Sequence, residues 1–247
     1  MPTTLNIQGQ SIPFRVSKGR GRRIVLRFSM QEPTLEIRTP NGRFGGAERQ
    51  AIAKQESWIL KQYQEKQGLW QRRDQLRQDI TRGQVPYLGR PTLIHYHPAK
   101  KSRITVTDEG LQLYLSPSDW ERDRMPMLYH GLRTLAAGLL KPKVRHWAEQ
   151  TQSEVNQIRV KDVRSRWGSC SSKSNINLNW HLIMVAPELI DYLIIHELMH
   201  LREMNHGPAY WAWVERFYPD YQEADQALTA QEWMIGIFDY WLAEAQD

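Results

Sequence analysis

The feature that most constrains this chain is a pair of histidines inside an apolar segment. His196 and His200 stand four residues apart in a run of leucine, isoleucine and methionine that extends from Leu193 to Leu201. On an α-helix, positions i and i+4 lie on the same face, so the two imidazoles can approach one ion. Glu197 directly follows the first of them. Because ionisable side chains are costly to bury on an apolar helix without partners, the spacing predicts a metal site.

A third histidine, His206, follows six residues after His200. Catalytic zinc usually binds three protein ligands and keeps its fourth position for water. The gap is too long for one helical face, so the helix must end between the two histidines. We expect the end near residues 203–205, where Asn205 tolerates left-handed backbone geometry, and a new helix that starts at Pro208. Such a turn would swing His206 toward the metal.

These residue types define an expected chemistry. Zinc lowers the pKa of a bound water to about 7. Glu197 is then expected to act as general base, taking a proton from that water and later passing it to the leaving amine. The motif therefore predicts one zinc ion per chain and hydrolysis of a peptide bond in a peptide or protein substrate. A zinc hydrolase acting on another amide is the alternative enzyme.

Four segments taken together resemble the YgjP-like zinc metallopeptidases, a family related to the SprT-like and WLM metalloprotease domains. The segments are Arg166–Ser171, Asn175–Trp180, His196–Leu201 and Asn205–Pro208. The resemblance implies a zincin-type fold, a single zinc held by His196, His200 and His206, and Glu197 as general base. The sequence leaves open the roles of three nearby residues, Arg166, Cys170 and Tyr210.

Charge is distributed unevenly along the chain. Residues 1–106 contain 20 Lys and Arg against 7 Asp and Glu, whereas residues 107–247 contain 13 against 20. The basic half can attract the acidic half within one fold, present a solvated surface, or bind an acidic partner such as nucleic acid. One local basic cluster lies at Lys18–Arg23. A nucleic-acid-associated module, with a structural zinc or a normally silent, recruited protease, is therefore the alternative function.

Composition also predicts the setting in which the protein works. The single cysteine, Cys170, excludes an intrachain disulfide and fits a reducing compartment. The first residues lack the basic and apolar regions of a secretory signal. No apolar run approaches the ~20 residues needed to span a membrane. We therefore expect a cytoplasmic protein that does not bind membranes.

The hydrophobic pattern changes between strand and helix periods and predicts an α+β fold. In the first half, we expect strands before residue 45, a helix over 46–67 stopped by Gly68, and strands over 85–115. In the second half, we expect a helix over 121–152, a strand over 157–161, a hairpin over 166–180 and a helix from Pro187. A helical tail over 219–245 is expected to pack Trp233, Ile237, Tyr240 and Trp241 inward. Strand Asn175–Asn179 is expected to border the cleft and to accept an extended substrate at its edge. We expect a β-rich N-terminal domain with one helix, 1–120, packed on a zincin-like catalytic domain, 121–247.

Overall fold

Strands dominate the first part of the chain and helices the rest, as the sequence predicts. The computed structural model describes residues 3–29, 32–121, 124–163 and 165–238. The strands are β1 (Thr3–Ile7), β2 (Gln10–Lys18), β3 (Val25–Phe28), β4 (Leu35–Thr39), β5 (Gln84–Tyr87), β6 (Arg90–Pro98), β7 (Arg103–Thr107), β8 (Gly110–Leu115), β9 (Gln157–Lys161), β10 (Gly168–Cys170) and β11 (Asn175–Asn179). The helices are α1 (Gly46–Ala53), α2 (Glu56–Thr81), α3 (Pro117–Trp120), α4 (Met125–Gln150), α5 (Pro187–Met199), α6 (Pro208–Phe217) and α7 (Tyr221–Thr229), with 3-10 turns at Trp180–Met184 and Glu232–Met234. The α+β fold class is confirmed.

The chain divides into two compact units, Met1–Arg77 and Gln78–Asp247. This division lies earlier than the domain boundary at residue 120 that the sequence predicts. The physical reason is that β7 and β8 pack against α4 and so belong with the helices that follow them. The predicted domain boundary at residue 120 separates strands from helices, whereas the compact units are defined by contacts. The boundary at residue 120 stays a prediction.

In the first unit, helices cover a four-stranded sheet of order β1-β2-β4-β3. Ile12, Leu35 and Ile37 of the sheet are fully buried. Three aromatic rings from the sheet and α2, Phe28, Tyr63 and Trp70, pack with centroids 5.4–5.8 Å apart. Trp70 also donates a hydrogen bond from Nε1 to the Ser29 carbonyl oxygen at 3.2 Å, so its polar edge is satisfied within the core.

The helical region of the first unit differs from the expected single helix over 46–67. The chain turns between α1 and α2, and α2 continues through Gly68 to Thr81. A Cβ at Gly68 would meet nothing within 4 Å, so this glycine faces open space. One interior glycine costs a helix only about 1 kcal/mol. Burial of Trp70 and Leu76 beyond it outweighs that cost.

Glu36 of β4 is the centre of a charge cluster in the same sheet. Its carboxylate accepts hydrogen bonds from Arg15 and Arg27, each at 2.7 Å, and Arg38 lies 3.5 Å away. Burial by itself raises the pKa of Glu36, but the hydrogen bonds and charges of Arg15 and Arg27 outweigh it, so the pKa lies below its ordinary value. The ionised form is therefore the one that stabilises the folded sheet.

We expect Glu36→Gln to lower the free energy of unfolding of the first unit by about 1–3 kcal/mol at pH 7. Because the folded pKa is depressed, this stabilisation is complete above the unfolded pKa and is lost as pH falls through the folded pKa. The difference from wild type should therefore shrink as the solution becomes more acidic than the ordinary pKa of a glutamate. Urea unfolding with pulsed hydrogen exchange of β2 and β4 peptides measures it, with exposed Glu65→Gln as control. An equal difference at all pH values would contradict the prediction.

The second unit contains two sheets, β5-β6-β8-β7 and β10-β11-β9, and five helices among its described residues. Helix α4 buries a stripe of apolar side chains four residues apart. The stripe is Leu128, Leu132, Ala136, Leu140 and Val144. Helix α5 is apolar on nearly every side and packs against α4, α6, α7 and β10. A helix of this kind is stable only when it is surrounded by other elements.

The start of α5 is fixed by the turn at Tyr87–Arg90 that joins β5 to β6. Leu88 and Gly89 of this turn donate backbone hydrogen bonds to the carbonyls of Ile183 and Met184, at 2.8 and 3.2 Å. Gly89 has φ +76°, and a Cβ there would lie 2.8 Å from the Cα of Ala186. Only glycine suits both the backbone geometry and the contact. The turn therefore holds the residues that lead directly into α5.

The predicted hairpin over 166–180 is confirmed, but its strands lie in a different order from the one expected at the cleft. β11 pairs antiparallel with β10 and parallel with β9, so both of its edges are occupied. Strand Asn175–Asn179 is therefore not the edge strand that the sequence analysis expected. Among the described residues the edge nearest α5 belongs to β10. Strand order depends on pairing between distant segments, which the alternation of β11 does not encode.

The tail is helical over α7 and in the short turn at Glu232–Met234. Ile237 is 1% exposed, in agreement with the expected inward packing. Tyr240 and Trp241, which were expected to pack in the same way, lie outside the described residues. Within the part of the chain that the structure describes, no helix combines the length and hydropathy needed to cross a membrane.

Candidate active site

Three histidines meet at the end of α5. His196 lies in the last turn of the helix, His200 is its C-cap, and His206 comes from the loop before α6. Nε2 of His196 and Nε2 of His206 are 3.2 Å apart. One ring nitrogen from each residue lies within 4.8 Å of those of the other two. All three positions predicted from the sequence are therefore brought together.

The helix ends earlier than expected. α5 stops at Met199, and the next residues form a tight turn in which Leu201 and Arg202 donate backbone hydrogen bonds three residues back, each at 3.0 Å. Asn205 does not adopt the expected left-handed conformation, because its φ is not positive. A tightened last turn replaces the glycine-type stop. Pro208 begins α6 as predicted.

Hydrogen bonds to the outer nitrogens set the tautomers of two of the histidines. Nδ1 of His200 lies 3.2 Å from the Glu203 carbonyl oxygen, which can only accept. Nδ1 of His196 lies 3.4 Å from the Tyr192 hydroxyl, which donates its own proton to Asp225 at 2.7 Å. Both Nδ1 atoms therefore act as donors, and both Nε2 lone pairs are left free.

The three imidazoles fit a tetrahedral metal ion. Two nitrogens ~2.0–2.1 Å from such an ion lie about 3.3–3.4 Å apart, close to the 3.2 Å between His196 and His206. Burial, followed by the proximity of His200 and His206, lowers the pKa of His196 to about 3. Burial likewise lowers the pKa of His200. Neutral imidazole is the form that binds metal, and the lowered pKa values favour that form in His196 and His200.

Glu197 follows His196 in α5 and is buried. Its side chain lies against β10, where the backbone N–H of Cys170 donates to its carboxylate. Burial raises the pKa of Glu197 to about 8, against the opposing effects of the Arg166 charge and the Cys170 hydrogen bond. Arg166 itself is exposed and forms no ion pair within the described residues. It acts on the carboxylate through its charge.

Gly168 makes the position of Glu197 sterically possible. A Cβ at this residue would lie 2.5 Å from Oε1 of Glu197 and 2.9 Å from its Cγ. Trp167 anchors the start of the strand by donating from Nε1 to the Leu228 carbonyl oxygen at 3.2 Å. Asn179 holds the preceding loop through hydrogen bonds from Nδ2 to the carbonyls of Val163 and Arg166. The carboxylate and the strand beside it therefore form one fixed unit.

Aromatic side chains of α6 enclose the histidines. The Tyr210 ring stacks on His200 with centroids 4.6 Å apart, and Trp211 stacks on His206 at 5.7 Å. The Tyr210 hydroxyl donates to the His196 carbonyl oxygen at 2.9 Å. That bond uses the only proton of the hydroxyl, so Tyr210 supports the end of α5.

Sequence reasoning missed several residues that support the site. Tyr192 stands four residues before His196, so helical periodicity alone could have found it. Asp225 comes from another helix, and no local pattern connects it to the histidines. Gly168 lies inside the motif that carries the family resemblance, but its reason, the carboxylate packed against it, is a tertiary contact.

Comparison with known proteins now decides the family. The model of the YgjP-like metallopeptidase domain matches residues 22–231. The chain belongs to the YgjP-like metallopeptidases. The family membership makes this YgjP-like chain a metal-dependent peptidase with peptide or protein substrates. The family match gives no support for a nucleic-acid partner.

Two solved structures are similar to parts of this YgjP-like chain. The metallopeptidase zymogen abylysin of Pyrococcus abyssi is 19% identical, with a TM-score of 0.35 over 38% of this chain and 94% of its own. The metallopeptidase zymogen jannalysin of Methanocaldococcus jannaschii is 21% identical, with a TM-score of 0.33 over 37% of this chain and 95% of its own. No curated protein matches the chain.

We expect Gly168→Ala to displace Glu197, because the added methyl group occupies the space of its carboxyl. The overpacking should cost about 1–3 kcal/mol of stability. A shift of the carboxylate by ~1 Å should lower peptidase activity on the order of 100-fold. Thermal unfolding and cleavage of fluorescein-labelled casein measure the two effects.

Gly138→Ala is the matched control, since a Cβ there meets nothing within 4 Å on α4. It should leave activity unchanged and add up to about 1 kcal/mol of stability. Equal activity in the Gly168→Ala variant and the wild type would contradict the steric account of Glu197.

Proposed function

We propose that this metallopeptidase is zinc-dependent, that His196, His200 and His206 hold the ion, and that Glu197 moves the proton during hydrolysis. The observation that carries the proposal is the meeting of three imidazoles at the end of α5, the helix that also carries the buried carboxyl of Glu197. Imidazole nitrogens suit zinc, and the separation of the His196 and His206 nitrogens suits tetrahedral geometry.

A bound zinc ion supplies positive charge that acidifies water and polarises the scissile carbonyl. Glu197 accepts a proton from the attacking water and then donates it to the nitrogen of the leaving amine. Its raised pKa suits this double role, because the carboxyl must hold the proton between the two steps. A cation bound nearby would lower that pKa, and so would favour the ionised carboxylate of Glu197 at neutral pH.

The elements around Glu197 restrict its motion during this transfer. The Cys170 N–H holds one side of the carboxylate, and Gly168 leaves room for it against β10. The charge of Arg166 favours the ionised form. A carboxylate with one fixed rotamer needs no reorganisation when the proton moves, which is the advantage of a preorganised site.

The substrate is proposed to lie along β10. This strand is the edge of its sheet on the side of α5, and its first residue touches the Glu197 carboxyl. An extended peptide can hydrogen-bond to such an edge as an added strand. The scissile bond would then pass between Glu197 and the histidines, which fits a peptide better than a compact amide.

The alternative of a structural zinc has less support. Structural zinc normally has four closed protein ligands. The cluster contains three ligand-type side chains among the described residues, and His206 is exposed. A closed site would also leave the buried Glu197 without a purpose. A hydrolase of another amide would use the same site residues with a different substrate. A protease recruited by a nucleic acid would use the same site residues and the same kind of substrate, with a nucleic acid as an additional partner.

We expect the purified wild-type protein to contain about one zinc per chain, and folded His206→Ala to lose most of it, since two ligands seldom retain the ion. Elemental analysis after dialysis measures this, with circular dichroism to verify folding. His146→Ala, a histidine of α4 outside the cluster, is the control and should retain the metal. A wild-type protein that binds no zinc when it is supplied would refute the site.

Glu197→Gln should retain zinc and lose activity by a factor of 100 or more, because the amide cannot accept the proton. Casein cleavage by the zinc-loaded variant is the measurement. Full activity with normal zinc content would contradict the role of Glu197 while leaving the metal site intact.

The two hydrogen bonds that link His196 to Tyr192 and Tyr192 to Asp225 should strengthen metal binding, because they fix the tautomer of His196. Tyr192→Phe removes both hydrogen bonds and should weaken zinc binding roughly 10-fold or more. Asp225→Asn should have a smaller effect, because the amide oxygen still accepts from Tyr192. Competition with a chromophoric chelator measures both. Tyr218→Phe is the control, since among the described residues its hydroxyl donates to the Glu188 carbonyl oxygen and to no group of the cluster. An equal effect of the control would contradict the tautomer account.

A further inference from the structure

The two compact units carry opposite net charge. The first unit, Met1–Arg77, contains 15 Lys and Arg against 6 Asp and Glu, a formal charge of +9. The second unit, Gln78–Asp247, contains 18 against 21, a formal charge of −3. The basic excess thus lies wholly within the unit that holds none of the candidate catalytic residues. This distribution calls for an explanation separate from peptide hydrolysis.

Part of the excess collects in a groove at one end of the first sheet. β4 lies between β2 and β3, so the loop that follows Lys18 must cross the end of β4 to reach Val25. The Gly19 N–H donates to the Thr39 carbonyl oxygen at 2.8 Å and ties the loop down there. The result is a cavity of about 790 Å³, which we call the basic groove. Its charged lining is Lys18, Arg20, Arg22, Arg23 and Arg38.

The basic side chains of the first sheet and of its β2–β3 loop fall into two groups. Arg15, Arg27 and Arg38 form ion pairs with Glu36, and Arg15 also pairs with Glu32. By contrast, the side chains of Lys18 and of the three loop arginines form no ion pair with any described residue. Among the described residues, no acidic side chain lines the groove. Like charges held together without counter-charges repel one another, so the fold maintains an unfavourable arrangement that an anionic ligand would relieve.

We propose that the basic groove binds the phosphate backbone of a nucleic acid. Guanidinium groups match phosphate oxygens through paired N–H donors, and three of the four unpaired cations are arginines. Gly19 and Gly21 carry no side chains, so a backbone phosphate can approach the loop closely. The groove contains no aromatic residue on which a base could stack. Binding should therefore be independent of sequence and suited to duplex backbones.

Other anionic partners fit the groove less well. An anionic membrane surface is bound most firmly when apolar side chains insert beside the basic ones. Val25, 50% exposed, is the single apolar side chain in the described lining, and the surface is concave. An acidic polypeptide offers isolated carboxylates, whereas a nucleic acid presents a regular row of charges that several cations can engage together.

The test measures binding of a fluorescent 20-base-pair DNA duplex of mixed sequence to the full chain by anisotropy at several salt concentrations. Wild type should bind at 50 mM salt, with a slope of log K against log salt near −0.9 per phosphate engaged, about −4 for four contacts. Arg22→Gln with Arg23→Gln should weaken binding ~10-fold or more and reduce the slope by about 2. A second duplex of unrelated sequence should bind equally.

The matched control is Lys54→Gln with Arg72→Gln, which removes the same charge from exposed positions on the helical side of the same unit. It should bind the duplex nearly as wild type does. No binding by wild type at low salt, or an equal loss in the control, would overturn the proposal. Binding to phosphatidylserine vesicles but not to the duplex would overturn it in favour of a membrane. Competition by polyglutamate as effective as that by unlabelled duplex would favour an acidic polypeptide instead.

Discussion

The second unit is built around polar groups that a hydrophobic helix holds in place. α5 is buried on nearly every side, yet it carries two histidines and a glutamate near its end. Groups of this kind are costly to bury unless each one has a partner. Tyr192, the Glu203 carbonyl and the Cys170 N–H supply those partners. The surrounding elements are arranged so that this requirement is met.

The same requirement explains why distant parts of the unit converge on α5. The turn around Gly89 holds the residues before the helix, β10 lies against its glutamate, and α6 stacks rings on its histidines. None of these contacts is large in area. Together they fix the rotamers of the groups that a peptidase needs, and precision of this kind contributes more to catalysis than additional contact area does.

The first unit follows a different principle. Its core is a conventional apolar sheet with helices, and one buried carboxylate gathers three arginines around it. The remaining cations of the β2–β3 loop are left without counter-charges at the edge of a groove.

The sequence alone predicted the meeting of His196, His200 and His206, because a helical spacing of four residues and a helix break before His206 are local properties. The hydrophobic periodicity likewise predicted the α+β fold class, the hairpin over 166–180 and the start of α5 at Pro187. Tertiary structure alone decided that β10 rather than β11 forms the edge, that α2 runs through Gly68, and that Asp225 and Gly168 serve the site. These depend on pairing and burial between segments far apart in the chain, where the energy gained outweighs local preference.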